Sequence, residues 1–312
     1  MTGNFPPERV EYPHETQGGT FMDWTQSIRT AIDEMEKHLL DEDCVEKACR
    51  AALVSPLYLQ QGFRIMTGLS MAEYVRCRRL YKAALDIAGE AKVIDTALKY
   101  GWDTPESFTK AFSRFHGVSP MQVKKDTHHI RSFLPLRVSI TIQGGNDMDF
   151  TIEKKPEMQL IGIAYEVAFE NSYQTIPAIW SKLMQDFQAS SGNAALRQAI
   201  TTHRIGEFAL CMDHHPEQGT FTYLIAGLYQ GGDVPEGMRL HTLPEMDWAV
   251  FPCVGPLPGA LQSLNTKIFQ DWLPGNNEYR IASDTTVEWY AEGDGSDENY
   301  RSAIWVPVKK VP

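Results

Sequence analysis

A repeat constrains this 312-residue chain more than any other feature of its sequence. Residues 104–120 read Thr-Pro-Glu-Ser-Phe-Thr-Lys-Ala-Phe-Ser-Arg-Phe-His-Gly-Val-Ser-Pro. A hydroxyl N-cap with proline at the first helical position opens the stretch. Phe108, Phe112 and Phe115 recur at helical spacing, Gly117 ends the helix, and Ser119-Pro120 starts another. At a gap-free offset of 49 residues the pattern reappears: Ser55-Pro56 matches Thr104-Pro105, Leu59 matches Phe108, Phe63 matches Phe112, Gly68 matches Gly117 and Ser70 matches Ser119. Upstream, Val45, Ala48 and Cys49 align with Ile94, Ala97 and Leu98. Each copy predicts helix, tight turn, helix, the layout that presents its second helix to a DNA major groove.

The residues between the apolar positions suit that task. Thr109, Lys110, Ser113 and Arg114 face outward on the second copy, a surface of short hydrogen-bonding groups and cations. On the first copy, a helix over about Leu57 to Met66 turns Leu59, Phe63 and Met66 inward and leaves Tyr58, Gln60, Gln61 and Arg64 available. Gly62 within it marks a close approach to phosphate or another helix, or a packing position without function. A helix from about Met71 to Ala88 is the expected rigid spacer, with Tyr74, Val75, Leu80, Tyr81 and Leu85 on one side. Its Arg76, Arg78, Arg79 and Lys82 either touch phosphate or form a solvated face. Ahead of both copies, Ile28, Ile32, Met35 and Leu39 mark a first amphipathic helix from Trp24.

Charge divides the chain the same way. Residues 57–125 carry 11 Lys/Arg against 6 Asp/Glu, whereas residues 147–312 carry 11 against 22 and account for the net charge of −11. A basic nucleic-acid-binding module joined to an acidic module is the expected organisation. No run approaches the roughly 20 apolar residues of a membrane helix, and no secretory signal is expected. Five scattered cysteines, an odd number, fit reduced thiols and a cytoplasmic location.

Arg79-Leu80, Ala83, Ile87, Val93-Ile94, Ala97, Tyr100-Gly101-Trp102, Phe108, Phe112 and Gly117-Val118-Ser119-Pro120 resemble the signature of AraC/XylS-type transcription regulators, over about Trp24 to Lys125. The resemblance implies that both helix-turn-helix units bind DNA. It assigns base-facing positions to Leu57, Gln60 and Gln61 in the first unit and to Glu106, Ser107, Thr109 and Lys110 in the second. Leu57 and Gln61 stand where relatives often carry an aromatic residue or arginine, and Glu106 does not favour phosphate.

From Asp149 the period changes to that of strands. Strands are expected around Thr151–Glu153, Leu160–Tyr165, Phe208–Met212 and Thr220–Ile225, with a helix from Ile176 to Phe187. The order recurs with strand Trp248–Cys253, a helix from Leu257 to Trp272, and strands at Thr286–Tyr290 and Ala303–Val308. Two rounds of strand, helix and paired strands predict an α+β domain with two related halves behind an all-α double helix-turn-helix domain. Ile179-Trp180, Trp248-Ala249-Val250-Phe251, Gly255-Pro256, Trp272-Leu273-Pro274, Val287-Glu288-Trp289-Tyr290 and Ile304-Trp305-Val306-Pro307-Val308 resemble the GyrI-like effector-binding domain. That family holds small, often aromatic or cationic molecules between its halves. An AraC-type reader followed by such a domain is a Rob-like layout.

Aromatic walls on an acidic domain suit a flat cation. The candidate ligand residues are Tyr165, Trp180, Tyr223, Trp248, Trp305 and, as the acidic partner, Glu288; most of the aromatics could equally be core. Relatives often carry glutamate before Ile-Trp-x-Pro, where this chain has Ala303. Cys211-x-x-His214 with His215 is a fragment of a zinc spacing that no second pair completes. A hydrogen-bonded surface histidine pair is the alternative, and no metal is expected. No phosphate-cradling loop or nucleophile elbow appears, so no cofactor and no catalytic set is expected.

The expected layout is a leader over 1–22, a double helix-turn-helix DNA-binding domain over 23–127, a connector over 128–148 containing a short strand at Val138–Ile142, and an effector-binding domain over 149–312. The expected function is a sequence-specific, ligand-responsive transcription regulator. Its partners would be promoter DNA and a small-molecule effector, with RNA polymerase as a further candidate. Two other readings stay open. Glu288 with Tyr165 or Tyr223 could hydrolyse or sequester a toxic electrophile, with DNA binding as self-regulation. Alternatively, the second domain could be a protein-interaction module with a filled groove.

Overall fold

The computed structural model describes residues 24–138, 148–188, 194–215 and 219–311. The leader, most of the strand expected at Val138–Ile142, and Gln143–Asp147 lie outside the described residues.

Seven helices come first: α1 (Trp24–Lys37), α2 (Cys44–Ala51), α3 (Pro56–Thr67), α4 (Met71–Ala88), α5 (Val93–Lys99), α6 (Pro105–His116) and α7 (Pro120–Lys125). The repeat is visible in their ends. Ser55 caps α3 and Thr104 caps α6, each side chain accepting from the backbone N–H three residues on. Both helices stop on a left-handed glycine, Gly68 at φ 76° and Gly117 at φ 78°, a conformation glycine adopts without a Cβ clash. Ser70 and Ser119 then open α4 and α7 with reciprocal capping boxes to Glu73 and Gln122.

Of the spacer cations, Arg76 is exposed, but Arg78 and Arg79 are turned inward. Arg78 is buried; its Nε and Nη2 donate to the two Glu36 oxygens at 2.6 and 2.8 Å, and its Nη1 donates to the Phe133 carbonyl. Arg79 donates to the carbonyls of Leu39 and Asp41 just beyond α1, at 2.6 and 2.8 Å. These two cations brace α1 against α4. Met66, expected to pack inward, is exposed, and so is Leu85 of the apolar side of the spacer.

The remainder is built on one nine-stranded sheet. Its strands are β1 (Thr151–Lys155), β2 (Met158–Ala168), β3 (Phe208–His215), β4 (Thr220–Leu228), β5 (Arg239–Leu243), β6 (Met246–Val254), β7 (Tyr279–Ile281), β8 (Thr286–Tyr290) and β9 (Arg301–Lys310). Helices α8 (Ser172–Gln188) and α9 (Ala194–Thr202) follow β2. Helix α10 (Gly259–Lys267) follows β6 and runs on into a π-helical stretch at Ile268–Trp272. The strand order β1-β6-β9-β8-β3-β4-β2-β5, with β7 beside β9, places the two halves symmetrically about the antiparallel β3–β8 pair. The halves also exchange edges. β1 precedes β2 in the chain but pairs with β6, and β5 precedes β6 but pairs with β2.

Alternation along the strands divides the core. Phe208, Leu210, Trp248, Val287, Ala303 and Trp305 share one side of the sheet. The residues between them point to the helix-bearing side. There Ala209, Tyr223, Phe251 and Ile304 join α1, α2, α3 and the first turns of α4 in a single apolar cluster. The rest of α4, from Leu80, packs with α5, α6 and α7 in a separate core. The boundary between hydrophobic cores therefore falls inside α4, between the two helix-turn-helix units.

Candidate functional site

Helix α6 presents an open polar face. Phe108 and Phe112 are fully buried and anchor it, with Trp102 edge-on to Phe108 at 5.3 Å. Glu106, Ser107, Lys110 and Arg114 are exposed, and Thr109 and Ser113 are half-buried. Short polar groups and two cations thus line a helix held rigidly from behind.

Helix α3 corrects the expectation of a matching open surface. Leu57, Tyr58 and Gln60 are only 0, 1 and 4% exposed, and Gln61 and Arg64 are half-buried. The helix lies against β3, the 3₁₀ turn Phe169–Asn171 of the first half and the π stretch of the second half. The Leu57 N–H donates to Asp284 Oδ1 at 3.0 Å, and Ser55 Oγ donates to the same oxygen. Thr286 Oγ1 donates to Tyr58 OH at 2.8 Å, and Tyr58 packs on Phe269 with ring centroids 5.9 Å apart. Arg64 pairs with Glu73 at 3.6 Å. Gly62 has a packing explanation: a Cβ there would overlap the Trp24 ring and lie 2.9 Å from that of Phe269. Gln60 and Lys110 accordingly do not form a common exposed face in this conformation.

The zinc-like fragment serves the same contact. The ladder shifts register between Met212 and His215, with Asp213 at φ 47°, the signature of a bulge. The shift brings His214 beside Phe169 on the helix-bearing side, where the Gln60 amide donates to His214 Nε2 at 2.7 Å. The ring's partner is Gln60 rather than its neighbour His215. Burial, with a smaller contribution from His215, lowers the His214 pKa to about 4, so the ring is a neutral acceptor. The Cys211 thiol lies in hydrogen-bonding reach of the Gln61 amide, and burial raises its pKa well above that of an ordinary thiol. Among the described residues no three His, Cys, Asp or Glu side chains gather as metal ligands.

Of the candidate ligand residues, the structure gathers four and separates two. Glu288 Oε2 accepts from Tyr223 OH and Tyr290 OH, each at 2.7 Å. Trp180 Nε1 donates to Tyr223 OH at 3.0 Å, and the Trp180 ring stands edge-on to Tyr290 at 5.1 Å. Tyr165 pairs with Tyr223 across β2 and β4. Desolvation raises the Glu288 pKa; hydrogen bonds from the two tyrosines oppose it without cancelling it. Both tyrosine pKa values are pushed far up by burial and then by the adjacent carboxylate. Glu288 forms no ion pair among the described residues and keeps some accessible surface, while Trp180 and Tyr165 are half-buried. Carboxylate, phenols and indole together suit a cation or a hydrogen-bond donor arriving over aromatic faces.

Trp248 and Trp305 do not belong to this cluster. They lie on the other side of the sheet, edge-on at 6.2 Å, with Lys155 over the Trp305 ring at 4.7 Å. Ala303 is on their side as well. Tyr290 stands in the sequence only as part of a strand and a family motif, although its position two residues after Glu288 on that strand places it on the same face.

The helical region matches a helix-turn-helix domain profile over residues 48–126, and the sheet matches the GyrI-like small molecule binding domain over residues 148–309. Among curated relatives, the chain is 33% identical over 93 residues to the transposon Tn10 TetD protein of Escherichia coli, covering 30% of this chain and 64% of that one. It is 42% identical over 64 residues to the HTH-type transcriptional activator AarP of Providencia stuartii, covering 20% and 47%. It is 30% identical over 107 residues to the transcriptional regulator Rob of Salmonella typhimurium, covering 34% and 37%. Each match spans less than two thirds of the relative's own length. With more than half of its residues under the second profile, the chain belongs to the GyrI-like small-molecule-binding family, and it carries that domain behind a helix-turn-helix module of the AraC type.

Proposed function

We propose that this protein is a sequence-specific, ligand-responsive transcription regulator. Helix α6 enters a major groove, with Ser107, Thr109 and Lys110 at base edges and Ser113 and Arg114 toward the backbone. A flat, cationic or donor-rich aromatic molecule settles on Glu288, Tyr223, Tyr290 and Trp180 and shifts the DNA-bound population. The observation that carries the reading is the Glu288 carboxylate, held by two phenols under a half-buried indole with no ion-pair partner among the described residues, in the same chain as an open, rigidly backed polar helix. Desolvating a carboxylate without a countercharge is costly, and an incoming cation would offset that cost.

We read this site as one for binding rather than turnover. The one thiol in that region, Cys211, is kept protonated by burial. Glu288 Oε2 is already held by hydrogen bonds from two tyrosines. The protein has no helix long and apolar enough to cross a membrane among the described residues, and the proposed setting is the cytoplasm. The proposed partners are promoter DNA, the effector and, through the DNA-bound form, RNA polymerase.

Two experiments test this reading. Selection of duplexes from a random pool by the full chain, followed by footprinting, should yield a protected major-groove site whose affinity falls on Lys110→Ala. Thermal-shift screening with planar cations should raise the melting temperature of the parent but not of Glu288→Gln. Failure to enrich any duplex at moderate salt would overturn the DNA-binding half. Hydrolysis of strained electrophiles that disappears in Glu288→Gln would favour an enzyme instead.

A further inference from the structure

The surface of α3 that would read bases is the surface that the effector-binding domain holds. Leu57, Tyr58 and Gln60 cannot face a DNA groove and the sheet at once. Asp284 makes the conflict sharper. A helix N-terminus presents free N–H groups and a positive dipole end, which in DNA complexes often take a backbone phosphate. Here the N–H of Leu57 and the Ser55 hydroxyl are spent on the Asp284 carboxylate of the acidic domain. An anion from within the chain thus stands where phosphate oxygens would.

The docking surface also adjoins the Glu288 cluster. Thr286, which bonds Tyr58, is two residues from Glu288 on β8 and shares its face. Cys211, in reach of Gln61, lies directly between Thr286 and Tyr223 in the strand register. Resting on the 3₁₀ turn of one half and the π stretch of the other, α3 spans the seam beside the cluster. A molecule that moved Tyr223 or β8 would meet this helix first.

We propose that docked α3 is an autoinhibitory contact. The effector-binding domain holds the first reading helix as an internal ligand, leaving α6 alone to bind DNA. Occupation of the Glu288 cluster releases α3 so that both helices engage neighbouring major grooves. This rests on the regulator reading above. It requires the effector to bind the released state more tightly than the docked one.

The test uses the full chain and duplexes enriched on it, with two variants that leave α3, α6 and Glu288 untouched. Asp284→Ala removes the anion at the helix N-terminus. Thr286→Val removes the bond to Tyr58 and leaves the net charge unchanged, so its effect cannot come from reduced repulsion of DNA. Hydrogen exchange across α3 reports release, and footprinting reports DNA engagement. The expected result in both variants is faster exchange in α3 but not α6. The footprint should widen from one major-groove segment to two, about one helical turn apart, with affinity raised about tenfold. A freed α3 with an unchanged footprint would overturn the proposal. So would an α3 that stays protected in both variants, because these groups would then not hold it. Loss of binding on Lys110→Ala, measured in parallel, keeps the regulator reading intact in either case. Absence of binding by parent and variants alike would bring down that reading instead.

Discussion

The two helix-turn-helix units match position for position at an offset of 49 residues, share capping chemistry, and end up in opposite situations. Helix α6 keeps a core of its own and turns Glu106, Ser107 and Lys110 to water. Helix α3 belongs to the same apolar cluster as the sheet and buries the equivalent Leu57 and Tyr58 there, with the Gln61 equivalent to Lys110 half-buried. The substitutions explain the divergence. Leucine and tyrosine gain by leaving water, whereas desolvating Glu106 and Lys110 would cost more than a protein contact returns. Gly62 against Ala111 completes the difference, because only glycine admits the rings of Trp24 and Phe269 so close to the helix. Duplicated architecture preserved the caps and the core; the outward residues decided which copy docks.

The largest test of this contrast removes equivalent core residues. Phe63→Ala and Phe112→Ala, both at fully buried rings, should each cost about 3–5 kcal/mol. Calorimetry should show Phe112→Ala lowering a transition confined to the second unit, and Phe63→Ala lowering that of the effector-binding domain as well. Identical effects on all transitions would break the division of cores.

Next is the brace that the first unit shares with α4. Arg78→Ala strands Glu36 and the Phe133 carbonyl and should cost about 3–5 kcal/mol in chemical denaturation. Burial alone would raise the Glu36 pKa, but hydrogen bonds from Arg78 and Tyr74 outweigh it and hold the carboxyl below its usual range. The stability from this pair is therefore present above the unfolded-state carboxyl pKa and is lost as pH falls through the lower folded value. Parent and variant should converge in acid; a gap that persists at pH 2 would count against the ion pair.

A smaller effect separates the two reading helices directly. Lys110→Ala should weaken binding, relax sequence preference at the base it contacts and, by removing a cation from the groove, reduce the slope of log affinity against log salt by about 1. Gln61→Ala, at the equivalent position of the docked helix, should leave affinity unchanged. Equal losses of affinity in the two variants would erase the distinction between free and docked copies.

The smallest concerns Glu288. Because its folded pKa is raised by burial, the parent should lose stability as pH rises from the unfolded carboxyl value towards the folded one. Glu288→Gln escapes that loss and should melt a few degrees higher near neutrality, at about 2–4 °C per kcal/mol for a domain of this size. Melting curves between pH 4 and 8 check the sign, and a variant that melts lower at neutral pH would mean the carboxylate is structurally required.

Local signals carried the helical half far. The expected spacer over Met71 to Ala88 is the observed α4, because a hydroxyl cap, an apolar stripe and a terminal glycine are all short-range. The strands around Thr286–Tyr290 and Ala303–Val308 were legible for the same reason: alternation marks a strand wherever it pairs. Helix α9 and strands β5 and β7 were not expected. They are short, and β5 at Arg239–Leu243 is a polar edge held only by β2. The Arg78 and Arg79 contacts were invisible as well, since a helical arginine looks the same whether it meets water or a carboxylate brought from 42 residues away.

By itself the amino-acid order determined the repeat, the caps, the basic and acidic halves and the pairing of a reader with a two-part α+β domain. All of these depend on near neighbours or on composition. Tertiary structure alone decided that Trp248 and Trp305 part company with Glu288, because strand register, set by distant partners, chooses which parity shares a face. It also decided that α3 lies closed while α6 lies open. That outcome depends on whether a second surface of matching shape and charge arrives to cover a helix, and Asp284, Thr286 and Phe269 supply it from more than 200 residues downstream.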